Sequence, residues 1–313
     1  MGTRLLILFN VFVAAGWSTA ALAQEFPQGG IAPSSLARQA PARDSFDRVA
    51  NGVAAAPGDA SQPESPRGAE PERFFSIDYA KDLFADAFGV ATAPARWDAH
   101  DWRFLGYYAL GLAVSIAAVD KPVRDLAQRN QNDTTDNVLS AVEPFGQKRY
   151  TLPLMASFYV YGHFANDDEA RATALDGIAA SFIANPVTSV FKGLSGRARP
   201  NTGLGPHHWR PLQGDQSFPS GHATQAFAMA GVITAHYPTP MAEWLCYGTA
   251  GLVATARIYH DAHWLSDVAA GGLVGTAVGK EIVSINEGRR SRRSALVPTV
   301  GGDGGEMTLN WAF

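Results

Sequence analysis

The chain changes pattern near residue 74. Beyond it, apolar residues recur at helical spacing over 102–119, 136–142, 152–164, 172–192, 223–236, 241–259 and 268–285, which predicts a set of α-helices. Asp120-Lys121-Pro122 reads as the stop of the first, and 128–136 as a loop or helix end. Pro186 falls inside 172–192 and predicts a kink there, while Pro238 and Pro240 punctuate the junction before 241. The segment 172–192 carries apolar side chains at spacings that face a core on more than one side. The expected architecture is therefore all-α, a helical bundle.

The ends read differently. Arg4, an apolar run from Leu5 to Ala15 and Ala21-Leu22-Ala23 have the order of an export signal cleaved after residue 23. Residues 24–73 are rich in Pro, Ala, Gly and Ser without apolar periodicity, which predicts a disordered tether ahead of a folded domain over 74–290. Over 291–313, a Gly-Gly-Asp-Gly-Gly turn is followed by Met307, Leu309 and Trp311 alternating with Thr308, Asn310 and Ala312, the pattern of a short C-terminal β-hairpin.

Composition adds limits. A chain of 313 residues with 46% hydrophobic and 17% charged residues buries a large core. Its formal charge of -4, with no basic stripe, argues against a nucleic-acid partner. Cys246 is the single cysteine, so no intrachain disulfide forms. The uninterrupted apolar runs are mostly shorter than the ~20 residues of a membrane span, and Gln225, His236, Glu243, Lys280 and Glu281 interrupt or flank them. The expectation is a periplasmic bundle with at most peripheral membrane contact; 102–119 is the segment that keeps closer association open.

Three clusters carry candidate chemistry. Residues 192–200, Lys-Gly-Leu-Ser-Gly-Arg-Ala-Arg-Pro, gather three cations at a helix exit. Lys192 offers a compact charge and Arg199 a planar fork, shapes that suit phosphate oxygens, although a basic helix end opposing the helix dipole accounts for the same residues. Pro200 predicts extended backbone at Arg199. In Phe218-Pro219-Ser220-Gly221-His222, Pro219 suits a helix start, Ser220 and Gly221 leave room for an anion at the backbone N–H groups, and His222 falls in the first turn. In the third, Arg257, His263 and Asp267 stand at spacings of six and four, close enough for Asp267 to fix the His263 tautomer and leave its other nitrogen to attack. Ser266 reads as an N-cap, and capping by Ser266 and Asp267 is the plainer account of that segment.

Together the clusters read Lys-x6-Arg-Pro, Pro-Ser-Gly-His and Arg-x5-His-x3-Asp, in that order. This resembles the type 2 phosphatidic acid phosphatase superfamily, which includes bacterial acid phosphatases and vanadium haloperoxidases. The resemblance implies that Lys192, Arg199 and Arg257 hold phosphate oxygens with Ser220 and the Gly221 N–H. It implies that His263 is the nucleophile, that His222 is general acid and then general base, and that Asp267 orients His263. Ala256 stands where the family usually has Ser.

The reading is a metal-independent phosphatase that acts on phosphate monoesters through a phosphohistidine, needs no cofactor and is inhibited by vanadate. Its substrate is a phosphorylated small molecule or a lipid phosphate. Vanadate-dependent halide oxidation and non-catalytic phosphate or phospholipid binding are the alternatives. His207, His208 and His236 fall outside the motif spacings and read as surface or loop residues, His100 and His163 are unassigned, and Trp209 and Trp264 read as packing groups.

Overall fold

The computed structural model describes residues 77–214 and 216–295. The expected signal peptide and the whole of the expected tether lie outside these residues. So does the hairpin from 296 onward, and its first residues, 291–295, instead continue the last helix.

The described residues form nine α-helices: α1 (Ile77–Thr92), α2 (Ala99–Val114), α3 (Asp120–Arg129), α4 (Asp133–Val142), α5 (Lys148–Ala165), α6 (Asp168–Ser195), α7 (Gly221–His236), α8 (Pro240–Tyr259) and α9 (Leu265–Ala295). The all-α bundle expected from periodicity is what forms. Helix starts follow capping chemistry: the side chains of Asp98, Asn132, Asp167, Ser220 and Thr239 each accept a backbone N–H of the following turn.

Asp120-Lys121-Pro122 is not a stop. A π-turn over Ser115–Val119 joins α2 to α3, so helix runs from 99 to 129 through Pro122. Pro186 likewise lies within α6, which continues to Ser195.

At the centre, α7 and α9 pack at backbone distance. A Cβ at Gly275 would lie 2.3 Å from the Thr224 carbonyl oxygen, one at Gly279 2.5 Å from that of Ala228, and one at Gly271 2.5 Å from that of Ser220. These glycines recur every fourth residue on one face of α9, and this stripe brings the N-terminus of α7 against the first turns of α9. Met155, Ile178, Ile183, Val232, Val278, Ile282 and Val283 fill one core cluster; Phe227, Tyr247, Val253, Ile258 and Val268 fill another.

Buried polar groups bind the helices to one another. Gln225 Nε2 donates to Thr151 Oγ1 at 2.9 Å and Ser181 Oγ at 2.8 Å, and its Oε1 accepts from Asn185 Nδ2 at 2.8 Å. His236 is not a surface residue: its ring lies 2.6 Å from Glu169 and 2.8 Å from Asp176, whose carboxylate also accepts from Asn286 and Arg290.

The outside is apolar. Phe84, Phe88, Tyr107, Leu110, Phe164, Trp244 and Leu245 are all exposed. Among the described residues, three helical runs are long and apolar enough to cross a membrane: Ala99–Arg129 with mean hydropathy 1.4, Asp168–Ser195 with 1.3 and Leu265–Arg292 with 1.4. This corrects the expectation that such spans are lacking. Polar residues that break the apolar runs in sequence, among them Asp120, Asp176 and Gln225, turn inward and are buried, so the helices extend past them with apolar faces outward.

Candidate active site

The site forms where the end of α6, the turn before α7 and the loop between α8 and α9 meet. Helix α6 carries Lys192 in its last turn and ends at Gly196 in the left-handed conformation, φ 56°. Only glycine fits there, because a Cβ would sit 1.7 Å from the Arg210 carbonyl oxygen. The chain then doubles back: Arg210 N donates to Gly196 O at 2.8 Å, and Ala198 N donates to His208 O at 3.0 Å. Arg199 follows with extended backbone, φ -76° and ψ 154°, as Pro200 dictates.

Ser195 Oγ donates to Phe218 O at 2.8 Å and ties this exit to the next turn. The Phe218-Pro219 peptide is cis, and Pro219 stands ahead of the helix rather than at its first position, because Ser220 is the N-cap of α7. Ser220 N donates to Asp267 O at 2.9 Å. A Cβ at Gly221 would lie 3.8 Å from Lys192 Nζ, so the ammonium stands directly off the start of α7.

The loop after α8 supplies His263. Its backbone N–H and that of Ala262 donate to Arg257 O at 3.1 and 3.0 Å, folding the loop back on Arg257. His263 is buried, with Nδ1 3.5 Å from Asp267 Oδ2. That separation orients the ring but leaves Nδ1 without a hydrogen bond. The charges of Lys192 and Arg199 reach His263, and those of Lys192, Arg257 and Glu143 reach His222. All eight residues picked out in the sequence thus come from the three elements that meet here.

Asp267 is held by groups the spacing did not reveal. Its Oδ1 accepts from Arg197 Nη1 at 2.6 Å, and its Oδ2 from Ser217 Oγ at 2.5 Å and Trp264 N at 2.9 Å. Arg197 is the third cation of the first cluster, yet it is fully buried and points away from solvent. Its Nη2 donates to Asp120 at 2.6 Å, and Trp209 and Trp264 stack on its guanidinium at 4.9 and 5.7 Å. Ser266 is not an N-cap; it lies inside the first turn of α9, and its hydroxyl bridges Arg197 and Asp120. The clue available in sequence was Asp120, an acid ending the most apolar segment. Nothing in the sequence marked Ser217.

Ala256, the departure from the family pattern, is buried against Leu139 and Tyr259. Arg257 pairs with Glu143 through Nη1, while its Nε is buried and has no partner. An unpaired guanidinium N–H in this position is a donor suited to an anion.

Burial pushes both imidazoles down, His263 to about 4 and His222 to about 4, the latter helped by Arg257. Both are neutral above that pH. A histidine depressed in the folded state binds fewer protons than it does unfolded, so stability is full above the unfolded value near 6.5 and falls as pH drops toward 4. The melting temperature is expected to fall across that window, and His263→Gln is expected to flatten the slope. An unchanged slope in His263→Gln would assign the acid sensitivity elsewhere.

Among the described residues, one cluster has metal-ligand composition: Asp98, His100 and Asp101, whose ligand atoms lie within 4.8 Å of one another. It is the capping box of α2, with Asp98 Oδ1 accepting from His100 N at 2.7 Å and Asp101 N at 3.0 Å. Local capping accounts for it.

Residues 173–291, which contain all eight motif residues, match the family model of the PAP2 superfamily. An undecaprenyl-diphosphatase of Sulfolobus acidocaldarius is 26% identical over 153 residues, covering 48% of this chain and 70% of that protein. Among solved structures, a transmembrane PAP2 type phosphatidylglycerolphosphate phosphatase from Bacillus subtilis aligns with TM-score 0.48 and 19% identity, over 59% of this chain and 94% of its own. Aquifex aeolicus LpxE aligns with TM-score 0.43 and 22% identity, over 54% and 96%.

Proposed function

We propose that this protein is a membrane-embedded phosphatase that removes phosphate from a lipid phosphate through a phosphohistidine at His263. The observation that carries the reading is the convergence of Lys192, Arg199 and Arg257 on two neutral imidazoles, one of them backed by a carboxylate. His263 Nε2 attacks phosphorus, and the bond to the leaving oxygen breaks as His222 gives that oxygen a proton. His222 then takes a proton from water, whose oxygen displaces phosphate from His263.

The resting His222 is neutral, so it must gain its proton as substrate binds. The phosphate dianion supplies the cause, since a negative charge beside the ring favours the imidazolium. The cations and the α7 N–H groups stabilise charge on the equatorial oxygens, and ammonium and guanidinium groups are not metal ligands. A lipid leaving group fits the apolar exterior, and the related archaeal protein is named for a lipid diphosphate.

The test uses the full chain. It is expected to stay with membranes through an alkaline wash and to need detergent for release. In detergent it is expected to liberate phosphate from a lipid phosphate, with competitive inhibition by orthovanadate and no effect of chelator. Failure to release phosphate, or activity lost to chelator and restored by a divalent ion, would overturn the reading.

A further inference from the structure

Glu143 lies outside the family match, in a short 3-10 helix between α4 and α5, yet its carboxylate enters the site. One oxygen pairs with Arg257 Nη1, and the other lies 2.7 Å from His260 Nδ1. His260 is held from its far side by Asp136, 3.3 Å from Nε2. The first oxygen is also 3.9 Å from His222 Nε2.

The approach is close because Gly146, at the end of the same short helix, has no side chain. A Cβ there would lie 2.9 Å from the His222 Cβ and 2.8 Å from Val253. The carboxylate is thus seated among two groups assigned to the reaction and one that supports them, with Arg257 Nε left unpaired and buried on the same guanidinium.

We propose that Glu143 is a positioning residue for phosphoryl transfer: it holds Arg257 by one nitrogen so that the remaining donors face the phosphate, and its charge sustains the protonated form of His222 during turnover. This rests on the phosphatase reading. The charged and titratable groups facing His222 are Arg257 on α8, Lys192 on α6, His263 on the loop before α9 and Glu143 itself, and only Glu143 among them favours the imidazolium. His260 and Asp136 complete the set around Glu143.

Two full-length variants separate orientation from charge. Glu143→Gln keeps the length and removes the charge; Glu143→Asp keeps the charge and cannot reach both Arg257 and His260. Both are expected to lower kcat roughly tenfold or more while binding of inorganic phosphate is not weakened in Glu143→Gln, because loss of a carboxylate offsets the looser Arg257.

The proton donor works only when protonated, so activity falls as pH rises through the His222 value in the complex. Without the carboxylate that value drops, and the basic limb of kcat is expected to move to lower pH by about half a unit in Glu143→Gln, but not in Glu143→Asp. A wild-type kcat and pH profile in Glu143→Gln would overturn the inference. So would a rise in kcat, which would make Glu143 an inhibitory plug, or a loss of activity matched by an equal loss of folded protein. Wild-type protein that releases no phosphate would instead overturn the phosphatase reading.

Discussion

His263→Ala is expected to abolish phosphate release, by about 10³-fold or more, and to leave no acid-labile phosphoenzyme. The choice lies between His263 and His260, three residues apart. His260 has both ring nitrogens engaged, by Glu143 and Asp136, so neither is available to attack phosphorus. His263 faces Asp267 with Nδ1, leaving Nε2 for the substrate, and burial keeps it unprotonated near neutral pH. His222→Ala is expected to behave differently, still trapping phosphoenzyme from substrates with good leaving groups, since only the proton donor is lost. Rapid quench with acid-labile phosphate analysis separates the cases. Phosphoenzyme in the His263 variant, and none in His260→Ala, would reverse the assignment.

Arg197→Met is expected to be the most destabilising single change near the site. It strips the shared partner from Asp120 and Asp267, two fully buried carboxylates, and breaking a buried pair in this way costs about 3–5 kcal/mol. For a domain of this size that corresponds to a fall in melting temperature on the order of 10 °C. Arg197→Lys is expected to recover little, because an ammonium cannot fork between two carboxylates and stack between two indoles. Adding Asp120→Asn to Arg197→Met removes one stranded charge and is expected to restore part of the loss. Thermal melts in detergent decide the matter: an Arg197→Met protein that melts with the wild type would show that the pair carries no net stability.

Both expectations turn on where residues lie relative to one another, and the sequence supplied those relations unevenly. The helices from 136 onward were legible because apolar spacing and capping residues act over a few positions. The three clusters stand out for a related reason: the cations, small residues and imidazoles that the proposed phosphate site calls for fall within eleven consecutive positions or fewer in each.

What the sequence left undecided depends on contacts between distant positions. Asp120 and Arg197 are 77 residues apart, and Glu143 and Arg257 are 114 apart; no local spacing pairs them. Arg197 stood in sequence only as a third cation beside Lys192 and Arg199, and the turn at Gly196 carries it inward. The apolar runs looked too short to span a membrane because polar residues interrupt them, whereas the fold buries several such residues, Asp120, Asp176, Gln225 and His236 among them, and leaves apolar faces outside. Gly271, Gly275 and Gly279 gain their role only where α7 packs onto them at backbone distance. Spacing along one helix fixes which face a side chain occupies, but only the packing of helices fixes what that face meets, and with it whether a buried charge is a ligand, a strut or a liability.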